Sequence, residues 1–170
     1  HLDGNLFYFN LDNFVNLKQL SLNGYIEKNF NFELFKNLCN QLEDVKISFF
    51  NIDENTLVKL FDGYNFTYLT DFTLQFTKIK RLKKEWFTNG FQMLRRLIIT
   101  FCEIEVIEHD SFSNMQQLTL LNLSRNRIDL IEENTFSNLK NLKTLDLRYN
   151  KLRKFDRNFV GLRESVDVKI

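Results

Sequence analysis

The feature that most restricts this chain is a set of apolar positions that returns every two dozen residues. From Leu118 the order is Leu118, Leu121, Leu123, Asn126, Ile128, Ile131, Phe136 and Leu139. From Leu142 it returns as Leu142, Leu145, Leu147, Asn150, Leu152 and Phe155. Sliding the same template along the chain opens copies at Leu17, Leu42, Leu69, Leu94, Leu118 and Leu142, spaced 25, 27, 25, 24 and 24 residues apart. Several positions recur together, so this is a structural repeat and not one chance amphipathic segment. Alternating Leu121 and Leu123 fall on one face of a short strand. Asn126 follows where the chain must leave that strand, and its amide can bond backbone groups that a buried turn would otherwise strand. Phe136 and Leu139 bring the return arm back onto the same core.

The pattern extends to both ends. Leu6, Leu11 and Phe14 match Ile131, Phe136 and Leu139, so residues 1–16 read as the return arm of a repeat without its strand. Val168 and Ile170 match Leu145 and Leu147, so the chain stops inside a further strand near 165–170. A solenoid needs polar or Cys-rich caps over its terminal coils. Neither end offers one, which predicts one repeat domain over 1–170 belonging to a longer array. The first half is less regular. Tyr25, Phe50, Thr77 and Cys102 stand at the asparagine position, and the repeat from Leu42 carries about three extra residues near Asp62-Gly63-Tyr64-Asn65. Residues Glu54 to Phe61 have the apolar spacing of a short helix.

These residues resemble the leucine-rich repeat superfamily. The 24-residue unit and the Phe136, Leu139, Leu142 return arm resemble its typical extracellular class, found in Toll-like receptors, Slit and chaoptin. The chain lacks alanine and proline, unlike the Ala-rich ribonuclease-inhibitor class and the proline-bearing plant and bacterial classes. The resemblance implies an α/β solenoid, a right-handed horseshoe segment with a parallel concave sheet and a mostly irregular or short-helical convex side. It also implies recognition of protein partners.

Strand alternation aims the variable positions outward on the concave face. Coil by coil they are Gln19, Ser21, Asn23; Asp44, Lys46, Ser48; Asp71, Thr73, Gln75; Arg96, Ile98, Thr100; Leu120, Asn122, Ser124; and Thr144, Asp146, Arg148. The next position reads Gly24, Phe49, Phe76, Phe101, Arg125, Tyr149. At a strand spacing of ~4.8 Å its rings form a column with Arg125 over Phe101. Aromatic residues and arginine dominate binding hot spots. The candidate ligand-binding residues are therefore Phe49, Phe76, Phe101, Ile98, Arg125, Tyr149 and Arg148. The competing reading is that the rings only shield the end of the core.

The basic run Lys78 to Lys84 is the other charged feature. The repeat sets it against acids one coil on: Lys78 by Glu103, Lys80 by Glu105, Lys83 by Glu108, with Arg127 on the far side of Glu103 and Glu133 by Arg157. Self-paired charge and a net charge of +1 predict no nucleic-acid partner. No apolar run approaches the ~20 residues of a membrane span, so this segment is not expected to insert. Asn65-Phe66-Thr67 and Asn122-Leu123-Ser124 are glycosylation sequons; Asn65, in the insertion, is the better placed of the two. Cys39 and Cys102 fall at core positions several coils apart and are expected to be free, buried thiols. No phosphate loop, nucleophile elbow or metal-ligand spacing occurs, and His109 is the single internal histidine.

The resulting expectation is a non-catalytic recognition module without cofactor or metal. It belongs to a secreted or cell-surface receptor-like glycoprotein, in the manner of innate-immunity or adhesion receptors, and binds a protein ligand. Alternatives are a structural or adhesive protein assembling into homodimers or larger arrays, and an intracellular scaffold.

Overall fold

A computed structural model describes residues 2–3, 15–24, 38–49, 54–55, 57, 65–87 and 90–170. In chain order the strands are β1 (Leu2–Asp3), β2 (Gln19–Gly24), β3 (Asp44–Phe49), β4 (Asp71–Gln75), β5 (Arg81–Leu82), β6 (Arg96–Thr100), β7 (Val106–Ile107), β8 (Leu120–Asn122), β9 (Leu130–Ile131), β10 (Thr144–Asp146) and β11 (Asp167–Lys169). An eight-stranded sheet runs β1-β2-β3-β4-β6-β8-β10-β11, and a second sheet runs β5-β7-β9. Every pairing is parallel. The chain is thus a parallel β-solenoid. Among the described residues helix is scarce, in keeping with a mostly irregular or short-helical convex side. Outside the strands there are turns, a 3-10 helix at Lys84–Phe87, and helical backbone at Glu54, Asn55 and Leu57, the described part of the predicted helix. Leu2 and Asp3 pair with Leu22 and Asn23, so the first repeat does hold strand residues. Leu6, Leu11, Phe14, Tyr25 and Phe50 lie outside the described residues.

The register is the one the repeat requires. Phe72 opposes Leu97, Leu97 opposes Leu121, and Leu121 opposes Leu145. Leu20, Leu22, Val45, Ile47, Phe72, Leu74, Leu97, Ile99, Leu121, Leu123, Leu145 and Leu147 are all buried. A slip of one residue would turn each of these faces to water. The return arms add a second spine. Phe87 stacks on Phe112 at 6.3 Å, and Phe112 on Phe136 at 5.9 Å.

Coils are joined where the chain leaves the sheet. The Asn126 amide nitrogen donates to the carbonyls of Ile99 (2.8 Å) and Leu123 (3.0 Å), and its oxygen accepts from the Cys102 amide (2.8 Å). Asn150 repeats this one coil on, donating to Leu123 (2.9 Å) and Leu147 (2.8 Å) and accepting from Ile128 (3.0 Å). Where Cys102 stands instead, its thiol donates to Thr100 (3.2 Å) and Leu74 (3.6 Å) but supplies no amide acceptor. The Ile79 amide then bonds the Cys102 carbonyl (3.0 Å). Both cysteines are free and buried.

On the flank, Arg127 meets Glu103 at 3.3 Å and Lys80 meets Glu105 at 4.0 Å. Lys83 departs from expectation: it pairs with Glu54 at 2.7 Å, and Glu108 takes Arg81 at 2.6 Å. Arg157 donates to the carbonyls of Arg163 and Val166 instead of reaching Glu133. Sequence offset fixes which coils are neighbours, but long side chains choose among several partners within reach.

Two stability predictions follow from this packing. Asn126→Ala leaves buried backbone groups on two coils unpaired and should cost about 3 kcal/mol, read as a lower urea midpoint at unchanged m-value. Gly90 has a φ of +81°, and an added Cβ would lie 2.1 Å from the Phe66 amide nitrogen. Gly90→Ala should therefore cost about 2–4 kcal/mol, again by urea titration, whereas Gly24→Ala, with open space around its Cβ, should cost less.

Candidate functional site

The outward positions of the sheet align across coils as the alternation predicts. Gln19, Asp44, Asp71, Arg96, Leu120 and Thr144 form one row, and Ser21, Lys46, Thr73, Ile98, Asn122 and Asp146 the next. Their charges are largely satisfied within the face. Lys46 lies 3.3 Å from Asp44, Arg96 3.4 Å from Asp71, and Arg148 2.7 Å from Asp146. A depression of about 210 Å³ between the first two pairs is lined by Thr73 and Ile98 as well. Three of the outward positions are not open to solvent: Thr100, Ser124 and Asp146 are buried. Thr100 accepts from the Gln75 amide at 2.8 Å. Hydrogen bonds from the Arg148 guanidinium hold the Asp146 carboxyl below the usual carboxylate range. Arg148 is thereby committed to its own coil.

The aromatic column sits one residue further, and its backbone is unusual. Phe76, Phe101, Arg125 and Tyr149 have φ of 60°, 58°, 58° and 60°, and Gly24 has 130°. A left-handed residue at this point swings the chain off the strand while its amide still reaches the neighbouring coil. Phe101 donates to the Arg125 carbonyl (3.0 Å) and Arg125 to the Arg148 carbonyl (2.9 Å). The side chains stand in one pile. Phe76 and Phe101 are stacked with centroids 5.0 Å apart, close to one strand spacing. The Arg125 guanidinium lies 5.3 Å from the Phe101 centroid and 4.5 Å from the Tyr149 centroid. Sequence spacing anticipates the first contact; the second closes the sandwich. Phe101 is 42% exposed and Tyr149 67% exposed, so the rings do not merely cap the core. Phe49 pairs with Gly24 at the end of β3; its side chain lies outside the described residues. Ile98 is half-buried beside the column.

The energetics of this column are nearly balanced. A bulky side chain on left-handed backbone costs about 1–2 kcal/mol relative to glycine. Aromatic stacking returns about 0.5–1.5 kcal/mol and an exposed cation–π contact about 0.5–1 kcal/mol. Glycine would serve the turn as well. The column is therefore close to neutral for fold stability.

Other sites predicted from sequence are placed as follows. Asn65 and Thr67 are exposed around a buried Phe66. Asn122 is half-buried on β8 and its side-chain oxygen accepts from the Ser124 amide at 2.9 Å. Burial pushes the Cys102 thiol up to about 11, which keeps it protonated and inert at neutral pH. His109 is exposed, with Nδ1 2.7 Å from the Glu133 carbonyl. Among the described residues no group of three or more His, Cys, Asp or Glu could hold a metal ion, and no helix is long and apolar enough to cross a membrane. One surface feature escaped sequence reasoning. Leu130 and Phe159, each about half exposed, line a flank depression with Leu152 and Phe155. The available signal was the apolar pair Val106 and Leu130, at a position where the repeats on either side carry Arg81 and Lys154.

Comparison with known proteins agrees with this architecture. The leucine rich repeat family model matches residues 92–152 and 121–165. A probable glycoprotein hormone G-protein coupled receptor from Anthopleura elegantissima is 46% identical over 55 residues, 32% of this chain and 6% of that protein. The chain thus spans a small fraction of that relative's length. Among solved structures, a chain of the Drosophila Toll–Spatzle complex aligns over 91% of this chain and 25% of its own length, with a TM-score of 0.57 and 18% identity. A chain of a TLR13–ssRNA13 complex aligns over 92% of this chain and 28% of its own, with a TM-score of 0.49 and 23% identity. The repeat motif, the parallel coil-on-coil register and the family match over residues 92–152 and 121–165 agree: the chain has the solenoid fold of leucine-rich repeats and resembles that family.

Proposed function

We propose that this chain is a non-catalytic protein-recognition module, one stretch of coils in the extracellular part of a secreted or cell-surface receptor-like glycoprotein. The outer face of the main sheet and the column Phe76, Phe101, Arg125, Tyr149 form its binding surface, with Ile98 beside them and Phe49 at the corresponding sequence position of the β3 coil. The observation that carries this reading is the exposed column on left-handed backbone. Strained, solvent-facing aromatic residues that stability does not call for are candidates for contact with a partner. The relatives named as a hormone receptor and as the Toll–Spatzle complex support a protein ligand. Pairing of Lys46, Arg96 and Arg148 with aspartates speaks against a nucleic-acid backbone, which needs a run of uncommitted cations.

The double variant Phe76→Ala/Phe101→Ala should reduce capture of an extracellular protein partner at least about tenfold, measured by quantitative pull-down. Phe101 and Tyr149 should be protected from hydroxyl-radical footprinting in the complex. The matching glycine pair relieves the left-handed backbone. It should melt no lower than the alanine pair and still fail to bind, which separates lost contact from lost fold. Protection confined to the return-arm side would refute the assignment.

Expression through a eukaryotic secretory pathway should add a glycan at Asn65, seen as a gel shift removed by Asn65→Gln. Retention of the whole shift in Asn65→Gln, together with its loss in Asn122→Gln, would place sugar on the sheet face and exclude that face as the binding surface.

A further inference from the structure

We propose that Arg125 is a carboxylate receptor at the centre of the aromatic column, and that the partner presents an Asp or Glu side chain flanked by apolar groups. This rests on the reading of the column as a binding site and specifies what that site recognises.

Three observations carry it. First, the guanidinium lies between rings of the two neighbouring coils, Phe101 at 5.3 Å and Tyr149 at 4.5 Å. Contacts with ring π-systems use none of the N–H groups at the guanidinium edge. Second, that edge is uncommitted. Among the described residues the Arg125 side chain takes part in no hydrogen bond or ion pair, and two carboxylates of the adjoining coils are engaged elsewhere, Asp146 with Arg148 and Glu103 with Arg127. Third, the backbone that carries the guanidinium is fixed. It sits at φ 58°, its amide is bonded to the next coil, and its neighbour Asn126 is buried. With a ring on either side, this lowers the side-chain freedom lost on binding, the usual charge against a surface arginine.

A planar fork fixed between two rings suits an acceptor of the same shape. A carboxylate meets it through two parallel N–H···O bonds. The apolar flank follows from what lies on either side: the exposed ring surface of Phe101 and Tyr149, with Phe76 next in the stack. A phosphodiester chain fits less well, because Lys46, Arg96 and Arg148 on the sheet face are already paired. The recognised unit is thus one acid between apolar side chains on a protein surface.

The test is selection of a random peptide library on the full 170-residue chain, followed by affinity measurement on Arg125→Gln, Arg125→Lys and the Phe76→Ala/Phe101→Ala pair. The expected result is a set of peptides enriched in one Asp or Glu beside an aromatic or aliphatic residue. Their binding should fall about tenfold or more in Arg125→Gln and also in the aromatic pair. Arg125→Lys, which keeps the charge but loses the fork, should fall between. Arg125→Gln should melt with wild-type cooperativity, since the position is exposed. Peptides that depend on the aromatic pair but show no acid enrichment and ignore Arg125→Gln would overturn the carboxylate assignment while leaving the column as a binding site. Selection of no column-dependent peptide would overturn both. An oligonucleotide that binds the wild type and is lost in Arg125→Gln, with peptides failing to bind, would replace the carboxylate by phosphate and so overturn the proposal.

Discussion

The structure depends on how each buried turn off the sheet satisfies its backbone. A solenoid coil must bend sharply inside the core, where stranded carbonyls and amides cost more than most packing defects. Asn126 and Asn150 meet this need with one side chain each, donating to carbonyls on two coils and accepting an amide from the neighbouring one. The bond therefore does two jobs. It closes the turn, and it locks one coil at a fixed height over the next. The hydrophobic register then has a single permitted alignment, and Leu97, Leu121 and Leu145 pair across the sheet.

The residue before this turn inherits a constraint. It must be left-handed to hand the chain from strand to turn, and its side chain is thrown outward at the sheet's edge. Repetition converts one awkward position into a column with the spacing of the strands. That spacing is also the spacing of stacked rings, so Phe76 and Phe101 meet face to face and Arg125 enters the gap before Tyr149. A sequence tuned for stability alone would place glycine or asparagine here. The column is thus a consequence of the fold in its position and a departure from fold economy in its chemistry.

This division explains how much could be read from residues. Period, register, buried positions and the outward-facing rows follow from alternation and offset, which are properties of the backbone. The Phe101–Arg125 contact was legible for the same reason: its partners sit at equivalent positions one coil apart. What was illegible involves choices among rotamers or departures from the average coil. Lys83 could reach Glu108 or Glu54 and takes Glu54. Asp146 was placed on the open face, yet Arg148 folds over it and it is buried. The left-handed backbone of the column was invisible because nothing in Phe76 or Phe101 announces it; aromatic residues normally argue against positive φ. The flank depression lined by Leu130, Leu152, Phe155 and Phe159 depends on side-chain placement between two return arms, which no periodicity encodes.

The two kinds of turn also grade the binding column along its length. Tyr149 and Arg125 precede Asn150 and Asn126, whose amides brace the chain on both sides. Phe101 precedes Cys102, which lacks a side-chain amide but has its own backbone amide held by Asn126 at 2.8 Å. Phe76 precedes Thr77, which has no side-chain amide to brace the turn, and the Phe76 amide reaches the Thr100 carbonyl at 3.4 Å, longer than the 3.0 Å and 2.9 Å of the two later coils. Bracing thus weakens from Arg125 toward Phe76. A directional contact such as a two-pronged hydrogen bond tolerates little positional error, whereas an apolar contact tolerates more. The single hydrogen-bonding fork of the column lies at its well-braced end and the purely apolar rings at its looser end, which is the arrangement those tolerances favour.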